Sequence, residues 1–353
     1  MPRNRVAEFD IDFVQALDAE GTVDTDFVPD IGDDQLREMY RQMKRARRLD
    51  ERAIALQRRG EIGTYAPGIG QEGTQVASAM ALTDRDWMVP SFREQAGFLA
   101  RGIPPEAILE YAMGMEEGAE IPEGHRELPP SIPVGSQALH AAGIGWAETI
   151  RGADSVALTF FGDGATSEGD VYEATNVAGA LDAQVVFVCQ NNQYAISTPR
   201  TKQTRAETLA QKAIAAGIEG VQVDGNDVLG VYSVVTDAIE SARGGDPVFV
   251  EAMTYRRSMH TTADDPSVYR TEDEEREWET LDPILRFQRY LESEGVLSAD
   301  DVEGIDAEIE DELADAIEAV RETTVEYADM FEFVFAETPP TIERQREAFE
   351  RGE

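Results

Sequence analysis

Gly162-Asp163-Gly164, then 26 residues, then Asn191-Asn192 is the stretch that decides the fold. Two runs stand before its ends, Ser155-Val-Ala-Leu-Thr-Phe-Phe161 and Gln184-Val-Val-Phe-Val-Cys189. Both are short, apolar and rich in β-formers, so both read as buried strands of a parallel sheet. The stretch from Glu168 to Leu181 between them reads as a helix. Strand, loop, helix, strand, loop puts both loops at the carboxyl-end edge, where open α/β sheets bind ligands. Asp163 offers a carboxylate there and Asn192 an amide carbonyl. Both are hard oxygen ligands suited to Mg²⁺, which takes few protein ligands and completes its octahedron with phosphate oxygens and water. Gly162 and Gly164 let the backbone approach a phosphate closely. A dinucleotide fingerprint, G-x-G-x-x-G, fails by register, because Ser167 holds the third position and the next glycine is Gly169. Two ordinary turns of an α/β domain are the remaining alternative.

The chain has 353 residues, 42% of them hydrophobic, enough for one large α/β domain or two small ones. No apolar run approaches the ~18 residues of a membrane span, and the first residues lack the apolar core of a signal peptide. The single cysteine, Cys189, lies in an expected strand and reads as a core filler. Net charge is −39, from 70 acidic and 31 basic residues. Only Lys44, Lys202 and Lys212 are lysines. Such a charge repels itself at low salt and is screened at high ionic strength. The balance resembles proteins of salt-accumulating haloarchaea, so a high-salt cytoplasm is expected. A nucleic-acid mimic is the alternative. Nucleic acid as a partner is excluded for want of a basic face.

Residues 1–32, polar and punctuated by Gly and Pro, read as an extended arm. Asp33 is placed to cap a helix running to Arg59, with Leu36, Met39, Tyr40, Met43, Leu49, Ala53 and Leu56 at helical spacing. Further helices are expected over 75–82, 94–101, 106–113, 136–150, 206–216 and 227–243, and strands over 220–223 and 247–253. The alternation implies an α/β fold, a parallel sheet with helices on both faces. A single domain over 33–335 is expected, mostly helical and acidic from about residue 272 and ending in the apolar Met330–Phe335. A polar tail follows over 336–353.

The GDG…NN pairing resembles the thiamine diphosphate signature, and nearly the whole chain is similar to the alpha subunit of the decarboxylating first component of 2-oxo acid dehydrogenase complexes. The phrases that carry this are Tyr65-Ala-Pro-Gly-Ile-Gly-Gln-Glu72, Pro90-Ser-Phe-Arg-Glu94, Asn191-Asn-Gln-Tyr-Ala-Ile-Ser-Thr198, Val223-Asp-Gly-Asn-Asp227 and His260-Thr-Thr-Ala-Asp-Asp-Pro-Ser-Val-Tyr-Arg270. The 121–130 stretch resembles the bacterial pyruvate-type and branched-chain-type subunits. The resemblance implies a thiamine diphosphate-binding fold. It implies Mg²⁺ on Asp163, Asn192 and the carbonyl of Tyr194, and the diphosphate on Arg93, Gly164, Ala165 and His260. Ile132 and Val134 line the aminopyrimidine in this scheme. Phe92 replaces the family's usual tyrosine and removes one hydroxyl from the cofactor site.

Thiamine enzymes also need a glutamate at the aminopyrimidine, and self-contained ones carry two related α/β domains. This chain shows one. The resemblance therefore implies a separate beta subunit in an α₂β₂ assembly, a lipoyl-bearing acyltransferase as partner, a 2-oxo acid as substrate, and His260 facing the lipoyl group. Pyruvate, branched-chain 2-oxo acids and an acetoin-type reaction stay open, as does a non-catalytic scaffold. His140 reads as a packing residue, His125 has no role, and Tyr65 is either a pocket wall or a core aromatic. Asp170 and Glu173, three apart on one helix, share a face and form a candidate proton relay. The 256–271 loop, with no apolar periodicity, is expected to order on the cofactor. Its Thr261 occupies the position of a phosphorylated serine in mitochondrial relatives.

Overall fold

The structure, a computed structural model, describes residues 3–23, 28–324, 330–331 and 335–352. Six strands form one parallel sheet in the order β1-β7-β8-β4-β3-β2. They are β1 (Phe13–Val14), β2 (Trp87–Val89), β3 (Ala157–Gly162), β4 (Val185–Asn191), β7 (Glu219–Asp224) and β8 (Val248–Met253). A small antiparallel hairpin, β5 (Tyr194–Ala195) with β6 (Thr198–Pro199), follows β4. The two runs that opened the reading are β3 and β4. They are neighbours, registered Ala157 to Val185 and Gly162 to Gln190.

Period-two alternation splits the strand side chains between two cores. Leu158, Phe160, Val186 and Val188 enter one core, with α1 (Asp33–Arg58), α2 (Glu72–Ala81), α3 (Gln95–Ala100) and α9 (Val228–Arg243). Ala157, Phe161, Val185, Phe187 and Cys189 enter the other, with α5 (Ser136–Arg151), α6 (Gly169–Ala180) and α8 (Lys212–Ala216). Cys189 is fully buried, as a core filler should be. α4 (Pro105–Met113) lies against the turn at 116–119. The C-terminal helices are α10 (Glu272–Glu279), α11 (Pro283–Ser293), α12 (Ala299–Glu322) and α13 (Pro340–Glu350). α12 buries Ile309, Leu313, Ala316 and Val320 and meets α1 through Lys44–Asp306 at 2.7 Å and Arg45–Glu312 at 2.5 Å.

Several local expectations change. The N-terminal segment is tied to the domain at residues 13–17: Phe13 and Val14 add a strand beside β7, and Ala16 and Leu17 are buried. The cause is Asp227, whose Oδ2 accepts the N–H groups of Ala16 at 2.5 Å and Leu17 at 2.8 Å while its Oδ1 caps α9. Asp33 is the first helical residue of α1 and caps nothing; Gly32 holds the cap position. The expected 206–216 helix shrinks to α8 because the Glu251 carboxylate takes the N–H groups of Leu209 and Ala210. β2 was not expected, and three residues are too few for periodicity to register. The 336–353 tail is polar but contains α13. Residues 332–334 of the expected apolar ending and 24–27 of the arm lie outside the described residues.

Asp227→Ala leaves four buried backbone N–H groups without their acceptor. It should destabilise the chain by at least about 3 kcal/mol in denaturant unfolding and expose residues 13–17 to protease. Unchanged unfolding would contradict this anchoring.

Candidate active site

The carboxyl ends of β2, β3, β4 and β8 open on one cavity of about 570 Å³. Every cofactor-site residue expected from the sequence lines it: Phe92, Arg93, Ile132, Val134, Asp163, Gly164, Ala165, Asn192, Tyr194 and His260. They arrive from separate chain segments. Phe92 and Arg93 follow β2, Asp163 to Ala165 form the tight turn after β3, Asn192 follows β4, Tyr194 starts the hairpin, and His260 hangs from the loop after β8.

The Tyr194 carbonyl oxygen, Asp163 Oδ1 and one amide terminus of Asn192 converge at the first point of interest. One amide terminus of Asn192 lies 3.1 Å from the Tyr194 carbonyl oxygen and 3.2 Å from Asp163 Oδ1. With Mg²⁺–O distances of about 2.1 Å, adjacent corners of an octahedron stand about 3 Å apart. The spacing therefore suits one hard cation. Asp163 is buried, and its Oδ2 accepts from Gln203 Nε2 at 2.6 Å. Burial pushes its carboxyl up to about 6, against the opposing effect of the Gln203 bond. The turn that presents Tyr194 is strained: Gln193 has φ 74° and Ile196, a β-branched residue, φ 54°. Gly164 cannot be replaced there, because a Cβ would stand 2.8 Å from the Ala195 Cβ.

Two guanidiniums mark the second point. Arg93 and Arg256 are both buried. Arg93 Nη1 donates to the Pro67 carbonyl at 2.7 Å, and Arg256 Nη2 donates to the Ile196 carbonyl at 2.7 Å and to the Tyr269 hydroxyl at 2.9 Å. Among the described residues neither forms an ion pair with a carboxylate, whereas the buried Arg45 and Arg286 each pair with one. Buried charge without a counter-charge is costly, so the pair fits an incoming polyanion. Burial, then Arg256, lowers Arg93 to about 10, which leaves it charged at neutral pH. The Phe92 ring that replaces the usual tyrosine packs against the Arg93 guanidinium at 5.3 Å and edge-on to His260 at 6.0 Å.

His260 sits between the two arginines. Its Nδ1 is 3.0 Å from Arg93 Nη2 and 3.3 Å from Arg256 Nη1. Arginine can only donate, so Nδ1 accepts and the proton of the neutral ring is on Nε2. Burial, then Arg93 and Arg256, pushes His260 down to about 4. Its loop is not untethered. The backbone N–H of His260 and the Tyr269 hydroxyl both donate to Asp264 Oδ2, at 2.7 and 2.5 Å, and Arg270 donates to the Arg256 carbonyl. Such polar ties leave no periodic trace in sequence. Thr261 also faces the cavity.

Other candidates resolve less kindly. His140 is exposed on α5 and packs into no core, contrary to expectation, because it falls on the outer side of that helix. Asp170 and Glu173 are both exposed in this chain, so nothing within it supplies the burial that a relay needs. Tyr65 is a buried aromatic and a cavity wall at once; its hydroxyl donates to Asp50 Oδ1 at 2.7 Å. His125 pairs with Glu127 at 3.1 Å away from the site. Sequence reading missed a supporting layer of buried polar side chains. Glu94 accepts from the N–H groups of Ser91 and Arg93 and from Gln190 Nε2, which ties the arginine turn to the end of β4. Gln71 meets Asn192. Both Gln71 and Glu94 lie in the quoted motif phrases, and that was the only signal available.

The carboxyl edge of a parallel sheet thus brings together a corner suited to a hard cation and two buried guanidiniums without a carboxylate partner among the described residues. Residues 40–328 match the dehydrogenase E1 component family, and the chain belongs to that family. It is 42% identical over 349 residues to the pyruvate dehydrogenase E1 component subunit alpha of Staphylococcus aureus (strain MW2), covering 97% of this chain and 94% of that one. The protein of the same name from Staphylococcus epidermidis (strain ATCC 12228) has the same identity and coverage. The chain is thus a subunit of a thiamine diphosphate-dependent 2-oxo acid dehydrogenase. No helix among the described residues is long and apolar enough to cross a membrane.

The chain has three histidines, so their titration can be followed singly. In ¹³C-histidine-labelled, cofactor-free protein, one imidazole should stay neutral until the pH nears 4, against an ordinary value of 6.5. The folded state resists this protonation. His260 therefore contributes fully to stability above about pH 6.5, and the contribution is lost as pH falls towards 4. A His260 that titrates near 6.5 would contradict the placement of Arg93 and Arg256.

Proposed function

We propose that this chain is the alpha half of a pyruvate dehydrogenase-type enzyme. It acts with a beta subunit, as an α₂β₂ heterotetramer, in the oxidative decarboxylation of a 2-oxo acid and reductive acylation of a lipoyl group on an acyltransferase core. The observation that carries the reading is the pairing of the Asp163 carboxylate, the Tyr194 carbonyl and the Asn192 amide with two unpaired guanidiniums at one sheet edge. Bound thiamine diphosphate supplies a thiazolium that takes up the electrons of decarboxylation. Everything else is the task of the protein.

Asp163, Asn192 and the Tyr194 carbonyl would hold Mg²⁺, which would supply positive charge against the diphosphate. Arg93, His260 and the backbone of Gly164 and Ala165 cradle the diphosphate, with Arg256 behind His260. Nε2 of His260 carries the only ring proton, so that atom donates to a phosphate oxygen or to the arriving lipoyl sulfur. Phe92 gives no hydroxyl to the phosphate and instead fixes the Arg93 plane. Ile132 and Val134 brace the aminopyrimidine from one side. They are 65% and 50% exposed in this chain, an apolar wall left open for another chain to close. That supports the expectation that the partner subunit brings the catalytic glutamate. The names of the relatives favour pyruvate. A branched-chain reading draws on one observation: Phe98, Ile103, Ile108, Tyr111 and Ile121 extend the same cavity with apolar surface. The charge of −39 suits work at high ionic strength, in a high-salt cytoplasm.

Three outcomes test the reading. The co-expressed pair, assayed at high salt, should decarboxylate pyruvate faster than 3-methyl-2-oxobutanoate, while the purified chain alone turns over neither. Robust turnover by the single chain would sink the half-enzyme reading. Asp163→Ala should abolish calorimetrically measured cofactor binding by the pair, and unchanged affinity would remove Asp163 from the metal. Cleavage within 256–270 should slow sharply when Mg²⁺ and thiamine diphosphate are added at fixed salt, because ligands shift populations towards the state they bind. Equal rates would uncouple the loop from the site.

A further inference from the structure

Two side-chain amides, Gln71 at the start of α2 and Asn192 at the end of β4, meet behind the cation corner. Gln71 is fully buried and lines the cavity, and Asn192 is nearly so. The two ends of an amide are told apart only by their partners, and this pair has two arrangements. In the first, Asn192 Nδ2 donates to Gln71 Oε1 at 2.9 Å. Asn192 Oδ1 then faces the Tyr194 carbonyl oxygen at 3.1 Å and Asp163 Oδ1 at 3.2 Å, with a long contact from the Tyr194 N–H at 3.4 Å. Three acceptors crowd together, and Gln71 Nε2 is buried without a partner. In the second, both amides turn over. Asn192 then donates to Tyr194 and Asp163 and accepts from Gln71, so that both ends of the Asn192 amide are satisfied.

The second arrangement is favoured when no cation is present. The first is favoured when one is, because a cation turns three mutually repelling oxygens into ligands. A single turned amide would set Asn192 oxygen against Gln71 oxygen at 2.9 Å, so the two must move together. We propose that Gln71 is a positioning residue for the metal, its Oε1 holding Asn192 with the oxygen inward, and that the two amides turn over in concert as the cation enters. This rests on the reading of Asp163, Asn192 and Tyr194 as cation ligands. Gln71 Nε2 loses its acceptor in the loaded state, which a buried amide tolerates when an acceptor arrives with the ligand.

Mn²⁺ is the probe, titrated by its free-ion electron paramagnetic resonance signal into the assembled pair with thiamine diphosphate. The titration is run at high ionic strength, which screens the self-repulsion of a chain with net charge −39. Gln71→Met keeps the shape and removes both hydrogen-bonding ends. It should weaken Mn²⁺ binding roughly 10- to 100-fold, the usual effect of losing an outer-shell partner. Gln71→Ser, too short to reach Asn192, carries the same expectation and serves if the Met variant fails to assemble. Gln71→Glu is acceptor-only, keeps Asn192 oriented inward, and should bind within about threefold of the unsubstituted assembly. Mn²⁺ affinity unchanged by Met and Ser, or a Glu variant as weak as Met, would overturn the proposal while leaving the ligand reading intact. An unsubstituted assembly that takes up no Mn²⁺ would overturn both.

Discussion

The pairing of β3 with β4 is the constraint on which the site depends. Six successive residue pairs, from Ala157 with Val185 to Gly162 with Gln190, hold the two strand ends level. Level ends put the Asp163 turn beside Asn192. A one-residue slip of β3 would reverse every side chain of that strand, driving Phe161 out of one core and Phe160 out of the other. Burial of both faces therefore fixes the register, and the register fixes the spacing of the oxygens. The backbone adds the rest: Gly164 allows the β3 turn to touch the hairpin, and two left-handed residues bend that hairpin back.

Charge is distributed with a different logic at the surface and at the site. Outside, carboxylates outnumber bases, and helices are joined by arginine forks such as Arg48 between Glu51 and Glu310, at 2.7 and 3.5 Å. Inside the cavity that logic stops. Arg93 and Arg256 face the cavity unpaired, and the one histidine between them is held neutral. An acidic protein thus keeps a small positive cradle whose field an anion can fill. The cost of holding that charge buried is offset only when the ligand arrives.

Much of this was legible in the sequence, for reasons that differ by residue. Asp163 and Asn192 stood out because strand periodicity and the GDG turn place them at one edge without any tertiary knowledge. Arg93, Ile132, Val134 and His260 were reached only through resemblance, since nothing local says that they meet. Gln71, Glu94 and Gln190 were out of reach: a buried amide or carboxylate that orients another residue looks, in sequence, like any polar residue on a helix. The N-terminal strand escaped for the same reason, because it is held by one distant carboxylate, Asp227, and not by its own pattern. The short α8 escaped because Glu251, about forty residues away, takes the N–H groups a longer helix would use.

The central claim is that one cation joins this chain's oxygens to a diphosphate at the β3–β4 edge. It is tested most directly by electron–nuclear double resonance on Mn²⁺ in the assembled pair. The account predicts strong ³¹P couplings from two phosphate groups, appearing only with thiamine diphosphate and vanishing together with Mn²⁺ uptake when Asp163 is replaced by alanine. Bound Mn²⁺ without ³¹P coupling, or coupling that survives the loss of Asp163, would contradict it.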